Sequence, residues 1–175
     1  MTGVIQASVH ASAVQVGNRA VLIRGPSGAG KSRLAFELIL AGRAKQIPPT
    51  VLIGDDRVHL EAQAAQLLVR PARVLAGLIE IYGLGIRRSK FVEEATVGLV
   101  VDLAAPDAER LPPPEALWTS IYGVKIPRLP INRGFAALSL VAAALTTKNS
   151  DGFDALSADC EKGISNHMRP SIAPE

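Results

Sequence analysis

What the chain has little of narrows its reading first. Cys160 is the only cysteine among 175 residues, so an internal disulfide or a cysteine-based zinc site cannot be built. Aromatic residues make up 4% of the chain. No apolar run approaches the roughly 20 residues of a membrane span, and the opening segment MTGVIQASVH has neither the basic start nor the long apolar stretch of a signal peptide. A block of one charge is also missing. The net charge of +3 comes from basic residues set singly or in pairs, such as Arg70, Arg73, Arg87, Arg88 and Lys90, with acids between them. That pattern, with so few rings to stack on bases, describes a solvated surface rather than a nucleic-acid face. The absences leave a soluble, cytoplasmic chain with neither membrane nor nucleic acid as partner. Its length suits one domain with a core of its own.

Fifteen glycines and twelve prolines punctuate the sequence. Between them, short β-branched and aliphatic runs predict strands at 5–10, 20–23, 50–53, 58–60, 66–69, 78–81 and 96–103. Two segments have helical composition. In 32–41, Leu34, Leu38 and Ala41 share one side and Phe36 and Leu40 another, predicting a largely buried helix. The Ala/Leu-rich, nearly uncharged segment 134–147 predicts a second buried helix. Strands both adjacent to helices and apart from them indicate an α/β fold with a mixed sheet. Pro48-Pro49 and Pro112-Pro113-Pro114 read as loops. From 148 to 175 the composition turns polar, so residues 1–147 form the expected domain and the rest a tail outside its core.

The strongest motif is Gly25-Pro26-Ser27-Gly28-Ala29-Gly30-Lys31-Ser32, which fills every fixed position of G-x-x-x-x-G-K-[ST] between a predicted strand and a predicted helix. Glycines there let backbone N–H groups turn inward around phosphate oxygens, and the helix N-terminus adds partial positive charge. Lys31 brings a full charge to the β and γ phosphates, and the Ser32 hydroxyl is suited to Mg²⁺. The motif predicts binding of a nucleoside triphosphate or a related polyphosphate, without saying what is done with it.

Acids downstream bear on that question. Asp55 and Asp56 follow the strand at 50–53, at the strand end where open α/β sheets gather ligands. One could hold Mg²⁺, directly or through water, while the other takes a proton from an attacking hydroxyl; an acidic turn into the next strand is the plain alternative. Glu80 lies within the apolar strand 78–81, either as an outward residue of an edge strand or as a metal ligand. His10 closes the first strand and, taken alone, reads as structural or exposed. His59 and His167 receive no role. Arg24, Arg110, Arg128 and Arg133 are equal candidates to neutralise phosphate charge.

In combination these residues resemble the catalytic domain of the HPr kinase/phosphorylase family. The likeness runs over about residues 8 to 145. It rests on His10-Ala11-Ser12-Ala13-Val14, the stretch from Ala20 through Ser32, Leu34 to Ile39, Gly54-Asp55-Asp56, Ile79 to Ile86, and Tyr122 to Pro127. The resemblance implies a P-loop kinase domain related to phosphoenolpyruvate carboxykinase. It also implies a bifunctional enzyme that uses ATP and Mg²⁺ to phosphorylate a seryl side chain of HPr, the small phosphocarrier of the sugar phosphotransferase system. Carried over, His10 matches the catalytic histidine, Lys31 the phosphate-binding lysine and Ser32 a magnesium ligand. Asp56 matches the proton acceptor, Asp55 supports the metal, Glu80 matches a second magnesium ligand, and Arg110 a catalytic arginine.

Three departures stand out. Tyr82 occupies the usual arginine position, and Pro130-Ile131-Asn132-Arg133-Gly134 breaks the order of a segment linked to dephosphorylation. The motifs also begin at His10, with no room before them for the regulatory domain of longer members. These weigh against phosphorolysis, metabolite regulation and the family's hexameric assembly, leaving a homo-oligomer open, and they weigh less against kinase activity. A P-loop kinase for a small molecule and an ATP-sensing module without transfer are the competing readings; the paired Asp55-Asp56 and Glu80 favour catalysis, since a sensor needs no proton acceptor.

Overall fold

The computed structural model describes residues 8–148. Its first elements are β1 (Val9–His10), β2 (Ser12–Val16) and, after a tight turn at Gly17, β3 (Arg19–Arg24). Side chains of β3 alternate as a strand requires, Val21 and Ile23 entering one core and Ala20 and Leu22 the opposite one. A loop at 25–30 leads into α1 (Lys31–Arg43). There follow β4 (Thr50–Gly54), β5 (Arg57–Gln63), β6 (Gln66–Pro71), and the pair β7 (Leu78–Ile81) and β8 (Gly85–Arg88). The chain continues through β9 (Ala95–Leu103), β10 (Trp118–Ile121), β11 (Val124–Ile131) and α2 (Ala137–Thr146).

Nine strands make one sheet, in the order β1-β5-β6-β9-β3-β2-β4, with β11 also on β9 and β10 on β11. The hairpin of β7 and β8 stands apart as a two-stranded sheet. The length of β9 lets one edge serve two neighbours: Ala95 and Thr96 pair with β6, and Val100 to Leu103 pair with β11. Its ladders with β3 and β11 are parallel and the remaining ladders of the sheet antiparallel, which gives the mixed α/β sheet the sequence predicts. Because β2 runs antiparallel to both β3 and β4, the strands β3, β4 and β9 all point the same way. Their carboxyl ends, at Arg24, Gly54 and Asp102-Leu103, therefore share one edge of the sheet, and that edge carries the site.

Two cores flank the sheet. On one face Leu34, Ala35, Leu38 and Ile39 of α1 pack with Val14, Val21, Ile23, Leu52 and Val101. On the other, Leu22 and Ile53 meet Val58, Leu60, Leu67 and Val69 as β5 and β6 fold over. Each Val, Leu or Ile side chain among these contributes about 1.5–3 kcal/mol by leaving water. No helix among the described residues is long and apolar enough to cross a membrane.

Several expectations change. The strand expected at 5–10 appears as Val9–His10, its earlier part lying outside the described residues. The second helix is Ala137–Thr146 rather than 134–147, and it is half-exposed: only Val141 is fully buried, because α2 packs on α1 by one side. The strands β2, β8, β10 and β11 arise where polar, glycine or proline residues dilute the pattern; β11 contains both Pro127 and Pro130, which cannot donate to a ladder. Beyond Lys148 the expected tail lies outside the described residues, as do Cys160 and His167.

Candidate active site

The loop between β3 and α1 is shaped by backbone conformations that side chains resist. Gly25 has φ +149°, a strained conformation for any side chain, and a Cβ there would crowd the Leu103 carbonyl oxygen at 3.0 Å and the Ala29 Cβ at 3.2 Å. Gly30, at φ 95°, caps α1 without any side-chain hydrogen bond, leaving the first N–H groups of the helix unclaimed by a side chain. Pro26, Ser27 and Gly28 are exposed at the rim, while Ala29 and Ser32 are half-buried. Lys31, the first residue of α1, folds back under the loop and donates to the carbonyls of Gly25 and Pro26, both at 3.0 Å. Burial pushes its pKa down, and the charges of Asp56 and Asp55 partly oppose that shift.

The two aspartates that follow β4 differ in surroundings. Asp55 is 4% exposed, and each of its oxygens is engaged: the Ser12 hydroxyl donates to Oδ1 at 2.6 Å and the Glu80 backbone N–H donates to Oδ2 at 3.0 Å. One buried carboxylate thus fastens the end of β4 to the start of β2 and to β7. Asp56 turns the other way. Its φ of 64° is left-handed, a region Asp and Asn enter more readily than most residues, and its side chain is 62% exposed. The β1–β5 ladder sets His10 opposite Arg57, which brings His10 Nε2 to 3.2 Å from Asp56 Oδ1.

Glu80 is joined to this group through its backbone, and its carboxylate is exposed on the free-standing hairpin. Of the two sequence readings, an outward side chain is the geometry observed, one register step from the hairpin turn and with its backbone N–H held by Asp55. Among the described residues, no three His, Cys, Asp or Glu side chains cluster tightly enough to hold a metal by themselves. An open cavity of about 310 Å³ adjoins His10, lined also by Arg24, Leu60, Ser120 and Tyr122.

The arginines separate in a way composition could not foresee. Arg24 forks onto Asp102, with Nε to Oδ1 at 2.7 Å and Nη2 to Oδ2 at 2.8 Å, and Arg128 Nε reaches Asp102 Oδ2 at 2.5 Å. Burial disfavours the Asp102 carboxylate, yet these two arginines outweigh it and hold its pKa below the usual range. Arg110 and Arg133 are exposed, and Arg110 stands on the loop after β9. The structure therefore gathers His10, Lys31, Ser32, Asp55, Asp56 and Glu80 around one sheet edge and joins Arg110 to that group by no hydrogen bond or ion pair. Sequence reasoning assigned no role to Ser12 or Asp102. Asp102 had a signal: it is the only charge in Ala95–Leu103, at the end of an apolar strand.

Comparison with known proteins bears on this constellation. A model of the HPr serine kinase C-terminal domain matches residues 4–160. The chain belongs to that family. An HPr kinase/phosphorylase of Lacticaseibacillus casei is 34% identical over 92% of this chain and 52% of its own length, and one of Enterococcus faecalis is 36% identical over 86% and 51%. The chain thus spans about half the length of these curated relatives. A solved structure of the HPr(Ser) kinase/phosphatase from Coxiella burnetii superposes with a TM-score of 0.64 at 26% identity, covering 79% of this chain and 93% of that one. The α/β architecture with its mixed sheet is that of an HPr kinase domain.

Proposed function

We propose that this HPr kinase-family domain, residues 1–147, transfers the γ-phosphoryl group of ATP to a seryl hydroxyl of HPr in the cytoplasm, with Mg²⁺. The observation that carries the reading is the meeting of Lys31, under a glycine loop at a helix N-terminus, with an outward Asp56 held beside His10. A loop of this kind wraps phosphates, and the strand-loop-helix order fits a P-loop domain akin to phosphoenolpyruvate carboxykinase.

Residues 25–32 bind the triphosphate through backbone N–H groups and Lys31, whose ammonium exchanges the two loop carbonyls for phosphate oxygens. Asp56, the exposed member of the pair, accepts the seryl proton as the seryl oxygen bonds to phosphorus and the bond to the ADP oxygen breaks. His10, 3.2 Å away, orients that carboxylate. The donor set suits Mg²⁺: hard oxygens on Ser32 and Glu80, too few to cage a metal alone, as expected of a site completed by substrate phosphates. When bound, Mg²⁺ neutralises charge on the β and γ oxygens. Asp55 serves this arrangement indirectly, since both of its oxygens are engaged in placing Ser12 and Glu80. Arg110 supplies positive charge to the transferred group from the loop after β9. Tyr82, fully exposed at the hairpin tip, leaves the family's arginine position uncharged, in keeping with a kinase that lacks efficient phosphorolysis.

Incubation with γ-labelled ATP and Mg²⁺ tests the reading. Label on HPr, absent when its acceptor serine is replaced by alanine, is the expected result. Label on a compound in a small-metabolite panel and none on HPr overturns the protein acceptor, and nucleotide binding without transfer to anything overturns the kinase. Phosphorylated HPr with inorganic phosphate is expected to release little pyrophosphate.

A further inference from the structure

Four charges lie in a row beside the phosphate loop: Arg24, Asp102, Arg128 and Asp107. Two cations and two anions sum to zero, so neither arginine is a free positive charge awaiting a phosphate. Their geometry describes a fastening. Arg24 ends β3, one residue before Gly25, and pairs in register with Asp102 of β9. Arg128 stands on β11, and its side chain and that of Asp102 are only 14% and 15% exposed.

Arg128 commits four of its five N–H donors. Nε goes to Asp102 Oδ2 at 2.5 Å, Nη1 to Asp107 Oδ2 at 2.6 Å and to the Ala116 carbonyl at 3.1 Å, and Nη2 to Asp107 Oδ1 at 2.9 Å. Asp107 and Ala116 lie near the two ends of the loop that leaves β9 and returns to β10. A rigid planar guanidinium can serve three acceptors at fixed angles, where a lysine ammonium acts as a compact point charge. Between the two anchor points lies Arg110, exposed and, among the described residues, held by no side-chain hydrogen bond or ion pair. Its place is therefore set by how the loop is pinned.

We propose that Arg128, buttressed by Asp102, is a positioning residue that clamps the loop 104–117 at Asp107 and Ala116 and so fixes where Arg110 is presented to the transferred phosphoryl group. The clamp itself is independent of any reaction; its effect on transfer rests on the kinase reading above.

The Arg110–Leu111 bond is a tryptic site within the clamped loop, so limited digestion followed by mass spectrometry reads the clamp without reference to activity. Asp107→Asn, a change at a half-exposed side chain, is expected to speed cleavage after Arg110 on the order of tenfold by populating an open loop, while cleavage after Arg88, on the separate hairpin, keeps its rate. Arg128→Lys should do the same, and if that variant fails to fold, Asp107→Asn carries the test. In the transfer assay both variants should lower kcat with nucleotide affinity unchanged, and adding Asp107→Asn to Arg110→Ala should cost nothing further. Unchanged digestion after Arg110 in Asp107→Asn overturns the clamp. Faster digestion with kcat intact overturns the positioning role. Absence of transfer from the parent chain overturns the kinase reading and leaves the clamp to stand or fall on digestion.

Discussion

Replacing Ser12 by alanine removes a single oxygen from a fully buried position. Almost no volume is lost, so the cavity term that dominates most core truncations is small. What remains is electrostatic: Asp55 Oδ1 loses the hydroxyl that donates to it at 2.6 Å, and at 4% exposure water cannot easily replace it. A hydrogen bond to a charged group contributes about 1.5–3 kcal/mol, so the variant should be less stable by roughly 2 kcal/mol. For a chain of this size, that lowers Tm by roughly 4–8 °C. Urea unfolding followed by the fluorescence of Trp118, the sole tryptophan, and by far-UV circular dichroism gives the difference directly. Asp55 also takes the Glu80 N–H on its other oxygen, so loosening the carboxylate loosens the hairpin strand that carries Glu80. The Mg²⁺ concentration needed for half-maximal transfer should rise, while nucleotide affinity in EDTA stays as in the parent. A variant within ~0.5 kcal/mol of the parent, the range of ordinary surface changes, refutes the idea that the Ser12 hydroxyl holds Asp55.

Asp56→Asn keeps a residue type that accepts the left-handed backbone at 64°, so fold and nucleotide binding should survive while transfer to HPr falls by ~10²-fold or more; transfer at the parent rate removes Asp56 as proton acceptor. Lys31→Met should abolish nucleotide binding in a calorimetric titration without loss of stability at neutral pH, because burial holds the lysine pKa below its ordinary 10.5. A folded pKa below the unfolded one makes the parent gain stability over the methionine variant as pH rises toward 10.5, and a parent that instead loses ground over that range contradicts the buried ammonium. For Asp102 the sign is opposite: its arginines hold its pKa below 3.8, so its contribution is fully present above that value and fades as pH falls through the lower folded one. The stability gap between the parent and Asp102→Asn should shrink across that acid window in urea titrations, and a gap constant with pH refutes the paired carboxylate.

Local features account for what could be read in advance. The glycine loop needs only residues adjacent in sequence, since its turns use positive-φ backbone that glycine adopts freely, and helix α1 follows from the spacing of Leu34, Leu38 and Ala41. Glu80 is different. Its neighbours left open whether its side chain points outward; the hairpin exposes the carboxylate, while its backbone N–H is tied to a residue twenty-five positions earlier. Helix α2 shows the limit of composition: an uncharged Ala/Leu segment is compatible with burial, but only packing against α1 decides how much of it is covered.

By itself the sequence determined the alternation that makes β3, the phosphate-loop motif and the ordered set of motifs that mark the family, because each depends on a few neighbouring residues and their intrinsic conformations. The tertiary structure alone decided which aspartate faces outward, that Ser12 and Asp55 tie three strands together, and that Arg24 and Arg128 are paired with acids instead of free for phosphate. Those outcomes depend on register and on which strand ends meet at one edge of the sheet, so residues up to 78 positions apart come within hydrogen-bonding reach. Composition cannot carry such distances; a hydrogen bond fixes them to within a few tenths of an ångström.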